Sequence, residues 1–73
     1  MPTRQKKDQF PKWVLAYSRE GLLVDFLKHP DFVFDSPELA LDRKADAFLL
    51  LRHISPGLTM DQVHVVPLRE FQL

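Results

Sequence analysis

The sequence predicts an α+β fold: a small antiparallel sheet of three to four strands packed by one main helix, with a disordered basic N-terminal arm. Three observations predict it. Apolar residues alternate with period two in the segments around Trp13–Tyr17 and Val63–Val66, one segment between them keeps helical spacing, and the cations of a formally neutral chain gather at its start. Arg4, Lys6, Lys7 and Lys12 stand against Asp8 alone, which gives residues 1–12 a formal +3 and leaves −3 for the rest. With no apolar periodicity, residues 1–11 are expected to form a flexible arm, residues 12–68 a single domain, and residues 69–73 a loose tail.

Lys12 to Ser18 reads as the first strand, with Trp13, Leu15 and Tyr17 on one face and Val14 and Ala16 on the other. Arg19, Glu20 and Gly21 read as a turn in which the glycine supplies a left-handed conformation. Leu22 to Leu27 admits two readings. As a return strand it places Leu22, Val24 and Phe26 on one face and Leu23, Asp25 and Leu27 on the other. As a helix capped by Ser18 and stopped by Pro30, it gathers Leu22, Leu23, Phe26 and Leu27 into a stripe. The strand is preferred. His29 to Asp31 makes a turn, and Phe32 to Phe34 is either a short strand or a loop that sets aromatic rings on the core.

Asp35–Ser36–Pro37 resembles a helix start, with a second start at Asp42, so Leu39 to Leu41 is a short strand or a first helical turn. Ala45 to Ile54 is the clearest helix. At 100° per residue, Ala47, Phe48, Leu51 and Ile54 share one face, while Leu50 lies roughly 200° from Phe48. Ser55–Pro56–Gly57 ends it, residues 58–61 connect, and Gln62 to Leu68 is the last strand, with Val63 and Val65 facing one side and His64 and Val66 the other. Pro67 marks an edge or a strand end.

Seventy-three residues make one domain without cysteine, so neither a disulfide nor a thiolate metal site is available. The longest apolar run, Ala47 to Leu51, is far short of a membrane span, and an intracellular protein is expected. His29, His53 and His64 fit no metal-ligand spacing. The carboxylates Asp25, Asp31, Asp35, Glu38, Asp42 and Asp46 read as caps and a solvated acidic face rather than as an acid–base pair, which needs a cleft. Trp13, Tyr17, Phe26, Phe32 and Phe34 read as core rather than as a base-stacking platform, because no cations are interleaved with them. No catalytic residue, metal or cofactor is expected, and the protein is expected not to be an enzyme.

What remains is binding. Leu49, Leu50 and Leu58 exceed the single stripe that a covering helix requires, so with Arg43 and Arg52 they are candidates for contact with a partner; the alternative is packing under the 55–61 loop. Arg4, Lys6, Lys7 and Lys12 are candidates for proximity to a nucleic-acid backbone.

The run from Lys12 through Leu68 opens on W-V-L-A-Y, centres on A-L-D-R-K-A-D-A-F-L-L-L and closes on V-H-V-V-P-L. In these segments, their order, the length and the basic lead, the chain resembles the small transcription regulators of lytic Xanthomonas phages. The resemblance implies a non-enzymatic protein of the bacterial host's cytoplasm that binds the β and β′ subunits of host RNA polymerase near the RNA exit channel. It implies inhibition of initiation by displacement of the σ factor, and antitermination. It carries over no contact residue. A monomer is expected when the protein is free, and the arm is expected to contact nascent RNA or DNA. The alternatives are a small nucleic-acid-binding protein acting through its arm, or an inhibitor of another host factor.

Overall fold

A computed structural model describes residues 11–71. Strand β1 (Trp13–Arg19) is the spine of a four-stranded antiparallel sheet. Along one side it pairs with β4 (Val63–Pro67), Leu15 opposite Val65 and Tyr17 opposite Val63. Its other side is shared. β3 (Val33–Phe34) takes Trp13 and Val14, and β2 (Leu22–Phe26) takes Ala16 to Arg19. The strand reading of residues 22–27 is therefore the one observed.

The β1–β2 hairpin closes through Glu20 and Gly21, both left-handed at φ 57° and 81°. Two consecutive positive φ angles make the tight two-residue connection whose twist matches the strands. Glycine accepts this conformation without cost, whereas glutamate does not. The pairing then slips by one residue, from Tyr17 opposite Asp25 to Ser18 opposite Leu23, so Val24 is the extra residue of a bulge. This corrects the period-two assignment. Directly paired residues share a face, so Leu23 and Phe26, opposite Ser18 and Ala16, lie together rather than on opposite sides.

Ser36 starts α1 (Pro37–Asp42). Its hydroxyl accepts a hydrogen bond from the Leu39 amide at 3.2 Å, and Pro37 occupies a first-turn position where no backbone donor is needed. The chain breaks helical geometry at Arg43, and α2 (Lys44–Ile54) follows as the main helix. Leu39 to Leu41 thus belongs to a separate short helix, not to a strand. Because α1 has only six residues, removal of its cap by Ser36→Ala is expected to destabilise the domain by about 1 kcal/mol. A urea titration read by circular dichroism checks this.

The two helices lie on the sheet face formed by Trp13, Leu15 and Tyr17. Leu15 and Tyr17 join Leu27, Phe32, Phe34, Ala40, Ala47, Leu51, Leu58 and Val63 in one buried cluster, with Trp13, Phe48 and Val65 packed against it. Ile54, expected on the buried face, is 61% exposed. The turn through Gly57, at φ 90°, instead returns Leu58 to the core, and Ser55 is buried with its hydroxyl accepting from Arg19 Nη2 at 2.8 Å. The core contact of α2 therefore ends at Leu51, one turn earlier than its spacing implies.

The opposite sheet face has no helix, yet Val14 and Ala16 are fully buried there. Their paired neighbours on that face are Val33, Val66, Phe26 and His64. A 3₁₀ turn, Leu68–Phe71, follows β4 and brings the Phe71 ring to 4.8 Å from Phe26. The Leu68 amide also donates to the Lys12 carbonyl at 2.8 Å. Of the expected loose tail, Phe71 thus packs on the sheet while Arg69 and Glu70 are exposed, and residues 72–73 and the 1–10 part of the arm lie outside the described residues.

Candidate partner-binding surface

Helix α2 presents two unlike faces because its apolar residues exceed what one contact absorbs. Ala47 and Leu51 are fully buried, four residues apart on the core side. Leu49 and Leu50 point outward, 52% and 42% exposed, and Ile54 follows Leu50 by one turn. Leu50 and Ile54 consequently form an apolar pair along the outer flank, with Leu49 farther round. Sequence reasoning missed Ile54. The signal was its place in the final turn, where packing depends on what the next loop returns to the core.

Leu58, grouped with these leucines in the sequence reading, is corrected by its burial: it is 8% exposed and belongs to the core cluster. It is not part of the exposed apolar flank of α2. The two arginines are held at different positions, each beside an aromatic ring. Arg43, at the junction of the helices, donates from Nε to Asp46 Oδ2 at 2.9 Å and lies 4.8 Å from the centre of the Phe32 ring. Arg52 lies 5.8 Å from the Phe48 ring on the exposed side of α2. Both guanidinium groups are thus held beside aromatic rings, with their charged ends toward water.

The basic candidates do not come together in the described residues. Lys12 forms an ion pair with Asp35, which offsets its charge locally. Arg4, Lys6 and Lys7 lie outside the described residues. The acidic residues are dispersed into local pairs, including Asp25 with Lys28 at 3.4 Å and Asp46 with Arg43. At exposed positions such pairs contribute little to stability.

The histidines are separated as well. His29 Nδ1 accepts from the Asp31 amide at 3.1 Å and caps the Pro30–Phe32 turn. His64 Nε2 lies 2.8 Å from Ser18 Oγ on the helix-free face, and His53 is exposed near the end of α2. Ser18 and His64, with Gly21, Leu23, Val65 and Val66, line an open groove of about 460 Å³. Their hydrogen bond satisfies two polar groups on an otherwise apolar face. Among the described residues, no cluster of three His, Asp or Glu side chains has the proximity to hold a metal ion.

Asp61 is held below the usual carboxylate range, chiefly by the Thr59 hydroxyl, which donates to Oδ1 at 2.6 Å, and by its own backbone amide; nearby Lys44 acts in the same direction. A lowered native pKa adds stability above the unfolded value, and that contribution is lost as pH falls through the native one. The Thr59–Asp61 hydrogen bond lies in the loop before β4, and because Asp61 is fully exposed its contribution to stability is small. Of the aromatic residues, Tyr17, Phe32 and Phe34 are buried and Phe26 packs on Phe71, so their faces are committed to protein contacts.

The fold and this surface define a small α+β module whose main helix covers a sheet and exposes a second, apolar flank. No known protein family, curated protein or solved structure matches the chain. Among the described residues, no helix is long and apolar enough to cross a membrane.

Proposed function

We propose that the protein is a non-enzymatic regulator of a bacterial RNA polymerase. The observation that carries this reading is the outer flank of α2, where Leu49, Leu50 and Ile54 remain in water beside Arg52. A monomer gains nothing from exposed leucines, whereas a docked complex gains roughly 1.5–3 kcal/mol for each one it buries. Apolar anchors framed by arginine are the pattern of an interface centre. The resemblance to phage transcription regulators directs the choice of partner: the β and β′ subunits near the RNA exit channel, within the host cytoplasm. Docking there acts by excluding σ from its own contact and by altering the path of nascent RNA, which yields inhibited initiation and antitermination.

The charged lead has a separate task in this scheme. Arg4, Lys6 and Lys7 lie ahead of Lys12 in the sequence and supply positive charge that attracts a phosphate backbone. Replacing all three with glutamine is expected to weaken read-through of a terminator more than it weakens polymerase binding. Transcription assays and a binding titration on the same variant measure the two effects. Full antitermination with lost binding would refute this division of labour.

A further inference from the structure

The Ser18–His64 pair on the helix-free face carries an inference independent of the polymerase reading. The two side chains are 46 residues apart in the sequence and meet only because β4 runs beside β1. In that register His64 stands opposite Ala16, and Ser18 is the next residue of β1 on the same face. Two paired strands therefore hold both groups, each half-buried. The hydroxyl of Ser18 reaches two acceptors, His64 Nε2 at 2.8 Å and the Gln62 carbonyl at 3.5 Å. The first distance is that of a good hydrogen bond and the second is at the limit, so the distances direct the hydroxyl proton to Nε2. Among the described residues His64 forms no ion pair that would hold it protonated. A hydroxyl that donates to an imidazole nitrogen is the arrangement in which a base activates a nucleophile.

The same pair opens on the groove of about 460 Å³, which is the size of a small-molecule site. Leu23, Val65 and Val66 give it apolar walls. At the hairpin end stands Gly21, where even an added Cβ would meet nothing within 4 Å, so that end is open to an entering molecule. An apolar groove with one polar pair in its lining suits a ligand of matching build: a short hydrocarbon chain that ends in a carbonyl.

We propose that Ser18 is an acylation site, whose hydroxyl takes a short apolar acyl group from an activated ester with His64 as the base. Ser18 Oγ attacks the carbonyl carbon while its proton passes to His64 Nε2. The bond from that carbon to the leaving oxygen then breaks, the departing alcohol takes the proton back from His64, and Ser18 carries the acyl ester. Leu23 and Val66 receive the hydrocarbon chain. The reaction is one modification per chain and not a turnover, so it goes beyond the regulator reading without replacing it.

Incubation of the full chain with p-nitrophenyl butyrate, followed by peptide mass mapping, tests the proposal. The wild type is expected to gain a butyryl group on Ser18 faster than on Ser36, a serine without an imidazole partner among the described residues. His64→Gln is expected to slow labelling of Ser18 by about 100-fold, the lower end of what a positioned base contributes. Near-ultraviolet circular dichroism verifies that this variant is folded. A second measurement needs no substitution: in urea the pair is separated, and the wild-type label on Ser18 is expected to fall to that on Ser36. Label confined to the amines, or no greater on Ser18 than on Ser36 in the folded protein, overturns the proposal. An unchanged rate in folded His64→Gln overturns it too, as does a preference for Ser18 that persists in urea.

Discussion

Replacing Leu51 with alanine is expected to lower the unfolding free energy by about 2–5 kcal/mol, enough to leave much of the protein unfolded at room temperature. Leu51 is among the largest fully buried side chains, in the cluster that joins α2 to Leu15 and Tyr17 of the sheet. Truncation removes both its transfer free energy and the contacts of the atoms around the cavity. A chain of this size buries only about 60% of its unfolded surface, so little reserve remains to absorb the loss. The control lies two residues away. Leu49→Ala, on the exposed side of the same helix, is expected to change stability by no more than about 0.5 kcal/mol. Urea midpoints for the two variants measure the contrast, and equal losses would show that the two faces of α2 are misassigned.

The second large effect concerns binding. Leu50→Glu is expected to reduce affinity for the polymerase by about 10–100-fold, because it removes roughly 1.5–3 kcal/mol of apolar burial and adds a carboxylate at the contact. Leu50 is 42% exposed in the free protein, so its replacement leaves the core intact and the thermal midpoint near that of the wild type. An unfolded Leu50→Glu variant would place this residue in the core. A folded variant with undiminished affinity would remove the outer flank of α2 from the interface.

The sequence was most legible where side-chain periodicity and local turn chemistry agree. The alternation of Trp13, Leu15 and Tyr17 with Val14 and Ala16 is realised in β1, and Gly21 does take the left-handed position in the turn. Ser36 and Pro37 start a helix, and the outward placement of Leu50 follows from its angle of roughly 200° relative to Phe48.

Features that depend on distant parts of the chain were not legible. The bulge at Val24 changes the register of β2, yet nothing in Leu22–Phe26 interrupts the alternation. Glu20 at positive φ is imposed by closing the hairpin in two residues, against the residue's own preference. Leu58 and Ile54 exchanged roles for one reason: both are apolar and near the helix end, and only the Gly57 turn decides which of them reaches the core. Phe71 joins Phe26 for a similar reason, since its position is set by the 3₁₀ turn that follows Pro67. The candidate site was legible as an excess of leucines, but its membership depended on that tertiary decision.

Docking of the outer flank of α2 on a bacterial RNA polymerase is the proposed basis of function. Its most direct measurement is a calorimetric titration of the full chain into the core enzyme and the σ-bound enzyme, with folded Leu49→Glu/Leu50→Glu in parallel. Saturable binding to the core enzyme, weaker binding where σ competes, and loss of both signals in the double variant are the predicted result. No binding heat with either form of the polymerase, or equal binding by the double variant, would contradict it.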